Sequence, residues 1–464
     1  MNAAATGPFD LLVHASTDQV LTGHVQVPPD KSISHRVLML AAIAEGRSCL
    51  RNVLASEDVH ATLSALRAMG VNIQIVREQP RQGAFDLEVE GVGHRGLQSP
   101  SDPLDMGNSG TSMRLLAGLL CGQGVEAELV GDASLMRRPM HRIVKPLQEM
   151  GAQISCAPDG CPPVRIQATK ALKGLHYQLP IASAQIKSAI LLAGLGAESE
   201  VAVEEAAGGS SRNHTELLLR AQNQLRFSGS DQNIVCVKGG SVIKPLDLDV
   251  PADPSSAAFP MLAAALRPGS ELVLSAVGVN ATRMGFFNAM SRMGAQLNLK
   301  NRFTNDYGEP VADIVVRGSS LSGGTVEAGE IPSLIDEIPA LAVAGYYSTG
   351  GFRLTGAGEL RHKESDRLAA ILTVMESLGD RRRQIQSLSA EEGFMFPEIR
   401  ERFKLGGGII DSRNDHRIAM AFAVAFPLEN DLTIRRAECI ETSFPDFAAN
   451  MSALGLNMVQ VDSV

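Results

Sequence analysis

One phrase recurs along this chain and limits what it can fold into: a helix closing on Leu or Met, a glycine, and a short strand. It reads Leu66-Arg-Ala-Met69-Gly70-Val-Asn-Ile73, then Leu147-Gln-Glu-Met150-Gly151-Ala-Gln-Ile154, then Met290-Ser-Arg-Met293-Gly294-Ala-Gln-Leu297. Weaker copies are Met375-Glu-Ser-Leu378-Gly379 and Met451-Ser-Ala-Leu454-Gly455-Leu-Asn-Met458. A glycine after a helix takes φ > 0 without steric cost, so it ends the helix and turns the chain back. The glycines stand at 70, 151, 294, 379 and 455, with gaps of 81, 143, 85 and 76. The long gap is close to two of the others, so a degraded sixth copy is expected near residue 223. There Leu217-Leu-Leu-Arg-Ala-Gln-Asn-Gln-Leu225 offers a helix without the glycine. Six αβ units, three in each half, follow from this period. Chance pairing of Met or Leu with Gly at helix ends competes with that reading; the even spacing and the shared Gly-Ala-Gln argue against it.

Two three-unit domains are therefore expected. Their seam should fall near Asp249-Val-Pro-Ala-Asp253-Pro254, which resembles the earlier Val27-Pro-Pro29-Asp30. A strand around Val20–Val27 precedes the first unit and is expected to join the other domain. The boundaries are then 1–29 with 251–464 for one domain and 30–250 for the other; if helices of both aim their N-termini at one cleft between them, the summed field would trap polyanions there.

The net charge of −9 argues against a general nucleic-acid or anionic-membrane surface, so an anionic ligand needs a local cluster of cations. The segment Met1–Thr17 has no basic start and no long apolar core, unlike a secretory signal. No apolar run reaches the length of a bilayer span. The six cysteines (49, 121, 156, 161, 236 and 439) are scattered, and Cys156 with Cys161 match no zinc spacing. Reduced thiols, a cytoplasmic location and no metal are expected. Neither nucleotide-binding fingerprint is present.

Several stretches share one arrangement, a polar or basic loop running into an apolar helix. In Val27-Pro-Pro-Asp30-Lys31-Ser32-Ile-Ser-His-Arg36, Asp30 is a good N-cap and Lys31, Ser32 and Arg36 fall on the first turns. Free N–H groups and the positive end of the helix dipole make that terminus suited to a phosphate or carboxylate, although a capped helix with solvated cations explains it equally. Asn108-Ser-Gly110-Thr-Ser-Met-Arg114 and Gly131–Pro139, with Arg137 and Arg138, are similar small-residue and basic approaches. Ser183 can cap the next helix while Gln185 reaches out, and Asn213–Glu216 reads as a capping box with Arg212 left over in front of it. Asp336 and Glu337 lie between apolar neighbours, where Asp336 suits a general base as well as a cap. Five of the seven residues Arg361-His-Lys363-Glu364-Ser365-Asp366-Arg367 carry formal charge, a pattern that a solvated helix start also shows. Asp415-His416-Arg417 puts a His and an Arg at the start of a buried helix, against the dipole preference, which points to an anionic ligand.

Taken together, Pro-Asp-Lys31-Ser32-Ile-Ser-His-Arg36, Gly-Asn108-Ser-Gly110-Thr, Arg138-Pro-Met, Ala-Ser183-Ala-Gln185, Ile-Asp336-Glu, Lys363-Glu364-Ser-Asp-Arg367 and Asp-His416-Arg417-Ile-Ala-Met resemble the 5-enolpyruvylshikimate-3-phosphate synthases of the enolpyruvyl transferase family. The likeness runs from about residue 20 to the end. It implies an α/β fold of two similar domains, each of three βαβαββ repeats around buried parallel helices, an inside-out α/β barrel. It implies transfer of the carboxyvinyl group of phosphoenolpyruvate to the 5-hydroxyl of shikimate 3-phosphate, a step toward chorismate and the aromatic amino acids. The partners are those two small molecules, with no cofactor, no metal, no nucleic acid and no membrane; a monomer is the family default.

Carried over by position, Lys31, Ser32, Arg36, Ser183, Ala184, Gln185, Arg212, Asp336 and Lys363 would hold shikimate 3-phosphate. Lys31, Gly110, Arg138, Gln185, Arg367, His416 and Arg417 would hold phosphoenolpyruvate. Asp336 would take the hydroxyl proton, Glu364 would protonate the methylene carbon, and Lys31 would assist proton transfer and phosphate departure. Gly110 is retained, so glyphosate is an expected ligand of the phosphoenolpyruvate site. Two departures stand out. Glu441 precedes Thr442-Ser443-Phe444-Pro445, where many members carry a phosphoenolpyruvate-contacting Lys. Residues 380–404 lack the expected strand alternation. One rival is UDP-N-acetylglucosamine enolpyruvyl transferase, whose loop corresponding to Gly131–Pro139 carries a Cys that is missing here. Another is a non-catalytic anion-binding protein on the same repeats, against which the intact Asp336 and Glu364 argue.

Overall fold

Among the residues described by this computed structural model (7–15, 19–79, 83–205, 211–229, 233–399, 401 and 403–463) there are twelve α-helices. They are α1 (Lys31–Ala42), α2 (Glu57–Ala68), α3 (Gly110–Gln123), α4 (His141–Glu149), α5 (Ala184–Gly194), α6 (His214–Ala221), α7 (Pro254–Ala265), α8 (Gly285–Arg292), α9 (Ile338–Tyr347), α10 (Arg367–Leu378), α11 (His416–Ala423) and α12 (Phe447–Ala453). Odd-numbered helices are apolar nearly all round and buried along almost their whole length. A helix with no polar face has to lie inside the core. Even-numbered helices keep an exposed side, α10 least so.

Each inner helix is followed by a strand, an outer helix and, in the first five repeats, a hairpin, while the last outer helix is followed by the single strand Met458–Asp462; the result is six four-stranded mixed sheets. In the second unit Leu104–Asp105 runs parallel to Ala127–Val130, which pairs antiparallel with Val164–Gln167, itself antiparallel to Gln153–Ser155. The third and fifth units repeat that order. Three sheets borrow a strand from a distant part of the chain. Asp247–Asp249 opens the first sheet beside Glu45–Leu54. Thr22–Val25 opens the fourth beside Glu271–Gly278. Phe9–Val13 lies between Leu432–Arg435 and Met458–Asp462 in the sixth.

The repeated glycine does what the sequence asks of it, with one exception. Gly70, Gly151, Gly294 and Gly455 have φ of 89, 91, 94 and 106°. In each case the following residue donates back into the last helical turn, as Val71 N does to Leu66 O at 3.1 Å. The expected sixth copy is present with Asn223 at φ 57°, its next residue Gln224 donating to Leu219 O. Asparagine tolerates the left-handed region well enough to replace glycine there. The exception is Gly379, with φ −70° and ψ 145°, so the chain leaves α10 extended.

The segment after Gly379 is strand-forming, contrary to the expectation for 380–404. Gln386–Leu388 and Gly393–Phe396 pair antiparallel, and the alternating Phe394 and Phe396 face the core. Arg383 is fully buried and donates to the carbonyls of Gly345, Gly350 and Pro397, closing the C-terminal end of α9. Arg400 and Arg402 of that segment lie outside the described residues.

The chain divides into two compact units. The first comprises residues 1–28, 252–303 and 310–464; the second comprises 29–251 and 304–309. Each has its own apolar core. In the second unit the carbonyl of Ala189 would lie 2.1 Å from a Cβ on Gly118, and that of Ala193 2.7 Å from one on Gly122. Helices α3 and α5 therefore touch backbone to backbone. Asp30 N bonds Pro251 O in the second unit, and Asp253 N bonds Pro28 O in the first, so α1 and α7 begin alike. No helix is long and apolar enough to cross a membrane among the described residues.

Candidate active site

In the second unit, three inner-helix N-termini carry the expected residues. Asp30 caps α1, its carboxylate accepting Ile33 N at 2.9 Å. The Lys31 ammonium meets Asp58 Oδ2 at 3.0 Å, and the Asp58 carbonyl accepts from Ser112 on α3. Between those helices Thr62 Oγ1 lies 2.8 Å from both His35 Nδ1 and Ser112 Oγ. Burial, reinforced by Lys31 and Arg36, pushes the His35 imidazole well below its ordinary pKa, so it is neutral.

Ser109 caps α3, and Gly110 is its first residue. A Cβ at Gly110 would lie 3.0 Å from Arg114 Nη1 and 3.3 Å from Arg138 Nη1, so two guanidiniums crowd this backbone. Arg138 is buried and donates to Asn108 Oδ1 and Ser134 Oγ, whereas Arg137 is exposed. Ser183 caps α5 and Ala184 begins it. Gln185 accepts from Arg114 Nη1 at 2.7 Å and donates to Thr111 Oγ1 at 3.0 Å, joining α5 to α3.

Arg36 lies deeper. Its guanidinium donates to Ser32 O, Thr215 Oγ1 and Ser188 Oγ, tying α1 to α5 and α6. Arg212 is half-buried just before α6. The predicted capping box there is replaced by an ion pair: Glu216 turns to Lys187 at 2.5 Å, and Glu205 meets the same ammonium at 2.8 Å. Burial works against the Lys187 charge, but the two carboxylates more than offset it and hold the ammonium above its usual range.

In the first unit, Arg367 is the centre. It is 1% exposed. Its Nε meets Asp415 Oδ2 at 2.8 Å, Nη2 meets Glu364 Oε2 at 2.6 Å, and Nη1 meets Asp336 Oδ1 at 3.3 Å. Lys363 adds a second cation on Asp336 Oδ1 at 3.1 Å. Burial opposes the Arg367 charge, yet the three carboxylates raise its pKa above the ordinary guanidinium value. One buried cation therefore gathers both carboxylates expected to move protons.

Asp415 caps α11 by accepting Arg417 N at 3.0 Å while holding Arg367 and Ser365 with its other oxygen. Arg417 is 4% exposed, and its Nε and Nη1 have no hydrogen-bond partner among the described residues. A buried cation with unpaired donors is costly, and an anion removes that cost. His416 Nδ1 lies 3.4 Å from Thr442 Oγ1, and Glu441 accepts from Asp446 N. Sequence reading missed Arg114, Asn108, Asp58 and Asp415 as site partners. Asn108, Arg114 and Asp415 do lie in stretches the sequence singles out; Asp58 carries no such signal.

Six βαβαββ units with cations and carboxylates at inner-helix N-termini make an α/β protein suited to holding anions. A sequence model of the family described as EPSP synthase (3-phosphoshikimate 1-carboxyvinyltransferase) matches residues 16–451. Curated relatives named 3-phosphoshikimate 1-carboxyvinyltransferase include that of Halorhodospira halophila, 46% identical over 95% of this chain and 95% of its own. Another, from Coxiella burnetii, is 44% identical over 95% and 96%. A solved EPSP synthase from Acinetobacter baumannii is 41% identical, with a TM-score of 0.83 over 98% of this chain and all of its own. The chain belongs to the EPSP synthase family and is an enzyme of it.

Proposed function

We propose that this enzyme moves the carboxyvinyl group of phosphoenolpyruvate to the 5-hydroxyl of shikimate 3-phosphate, releasing phosphate on the route to chorismate, and that residues of both units serve one pair of substrates. The observation that carries the reading is the shared guanidinium of Arg367, which places Asp336 and Glu364 side by side. Asp336 takes the 5-hydroxyl proton as the oxygen bonds C2 of phosphoenolpyruvate, and Glu364 gives a proton to C3, which becomes a methyl group. The resulting tetrahedral adduct loses a methyl proton and its phosphate, which restores the vinyl group on the product.

Lys31, Ser32, Arg36, Ser183, Ala184, Gln185, Arg212 and Lys363 hold shikimate 3-phosphate in this reading. Gly110, Arg138, Arg367, His416 and Arg417 hold phosphoenolpyruvate, with Lys31 and Gln185 touching both ligands. The electrostatic need is concrete: two multiply charged anions lie side by side in a chain of net charge −9, and only locally fixed cations offset their repulsion. Lys31, which pairs with Asp58, steadies the departing phosphate in this reading. Glu441 cannot supply the cation that many relatives place near it, and Arg417 carries more of that load. The enzyme acts as a cytoplasmic monomer using its own side chains.

The test is a coupled phosphate-release assay with shikimate 3-phosphate or UDP-N-acetylglucosamine as acceptor. Release with the first alone supports the assignment; release with the second alone removes it, and release with neither makes the chain a binding protein. Asp336→Asn and Glu364→Gln should each lower kcat roughly 10²–10⁴-fold while both substrates still bind.

A further inference from the structure

Asp336 sits in Ile335–Glu337, one turn of 3-10 helix closed by Glu337 N donating to Leu334 O at 2.9 Å. Such a turn is intrinsically weak, so its place must come from its neighbours. Glu337 stands at the N-cap of α9, where an acid normally turns back to the free N–H groups. It makes no such cap. Its carboxylate instead accepts the hydroxyl of Ser255, on the first turn of α7. Ser255 is set in turn by Arg283, whose Nη2 reaches Ser255 Oγ at 2.6 Å and Asp253 Oδ1 at 2.9 Å. All four residues are buried, Glu337 to 2% exposure, and Glu337 Oε2 has no hydrogen-bond partner among the described residues. A buried carboxylate that gives up its cap and leaves one oxygen unpaired is destabilising unless the placement serves something. The turn is gripped from its other side as well: a Cβ on Gly285, at the start of α8, would lie 2.3 Å from Ser333 Oγ and 2.7 Å from Leu334 Cβ.

We infer that Glu337 is a positioning residue for the general base: through Ser255 and Arg283 it fixes the turn that aims the Asp336 carboxylate. The inference rests on the assignment of Asp336 as the base. Asp336 meets Lys363 and Arg367, and Arg367 in turn meets Glu364 and Asp415. Released from its anchor, the turn would let the Asp336 carboxylate drift from these two cations.

The test is kcat and both KM values for Ser255→Ala, Glu337→Ala and Glu337→Gln, with Asp336→Asn alongside and thermal melts as a check on folding. Ser255→Ala and Glu337→Ala should lower kcat by roughly 10²-fold, the size of effect that a small misplacement of a reacting group produces. KM should stay within about twofold. Glu337→Gln keeps an oxygen for Ser255 and should restore most of the turnover. A dead Asp336→Asn beside unchanged kcat in both Ser255→Ala and Glu337→Ala overturns the positioning role alone. Normal turnover by Asp336→Asn overturns the assignment beneath it.

Discussion

Arg367 shows how single residues set this chemistry. Three carboxylates compete for one buried guanidinium, so losing it would leave negative charges packed together without a counterion. Arg367→Lys keeps the charge but not the fork, and turnover should fall by at least about 10²-fold, read as kcat in the phosphate-release assay. Gly110→Ala is a gentler probe. Its Cβ would press on the guanidinium ends of Arg114 and Arg138 rather than on backbone, so the melting temperature should hold while KM for phosphoenolpyruvate rises. Lys187 carries a pH prediction. Its ammonium is held above the ordinary lysine value, so the stability it contributes is fully present below that value and is lost as pH rises through its own. Urea unfolding should therefore show an alkaline loss of stability in the wild type that Lys187→Met lacks. That variant should be about 3–5 kcal/mol less stable near neutrality, because Glu205 and Glu216 lose their cation. The residues proposed to hold the substrates stood out in the sequence because each lies in a short motif at or near a helix start. Their partners were not: Gln185 meets Arg114 across 71 residues, and Arg367 meets Asp415 across 48, separations that only the fold closes.

Among the elements, the glycine after each outer helix was the readable signal, because a left-handed C′ residue is a local demand. Asn223 met that demand without glycine, and Asn223→Ala should cost about 1–2 kcal/mol in chemical unfolding, since alanine tolerates φ near 57° poorly. Gly379 carries the same phrase but extended backbone, because the chain there turns directly into Arg381–Arg383 and buries Arg383 beneath α9. The strands of that unit escaped notice because they are three and four residues long, too short for alternation to show. Inner helices announced themselves as apolar runs, but the closeness of α3 to α5 was hidden. Gly118→Ala would place a methyl 2.1 Å from the Ala189 carbonyl and should destabilise by about 1–3 kcal/mol or more.

Across the whole molecule, the period of about eighty residues fixed the number of units before any strand was placed. What it could not place were the strands borrowed between distant segments. Phe9–Val13 completes a sheet whose other strands begin at residue 408, and no local pattern encodes a partner so far away. The six-fold plan gives every unit an inner-helix N-terminus, and charged, polar or small residues stand at those ends. The central claim is that Glu364 delivers a proton to the methylene carbon of phosphoenolpyruvate while Asp336 receives one from the 5-hydroxyl. Deuterium incorporation measured by mass spectrometry during turnover in heavy water tests it most directly. The account predicts deuterium in the vinyl group of the wild-type product, and incorporation slowed roughly 10²–10⁴-fold in Glu364→Gln under conditions where both substrates remain bound. Incorporation by Glu364→Gln at the wild-type rate would contradict it.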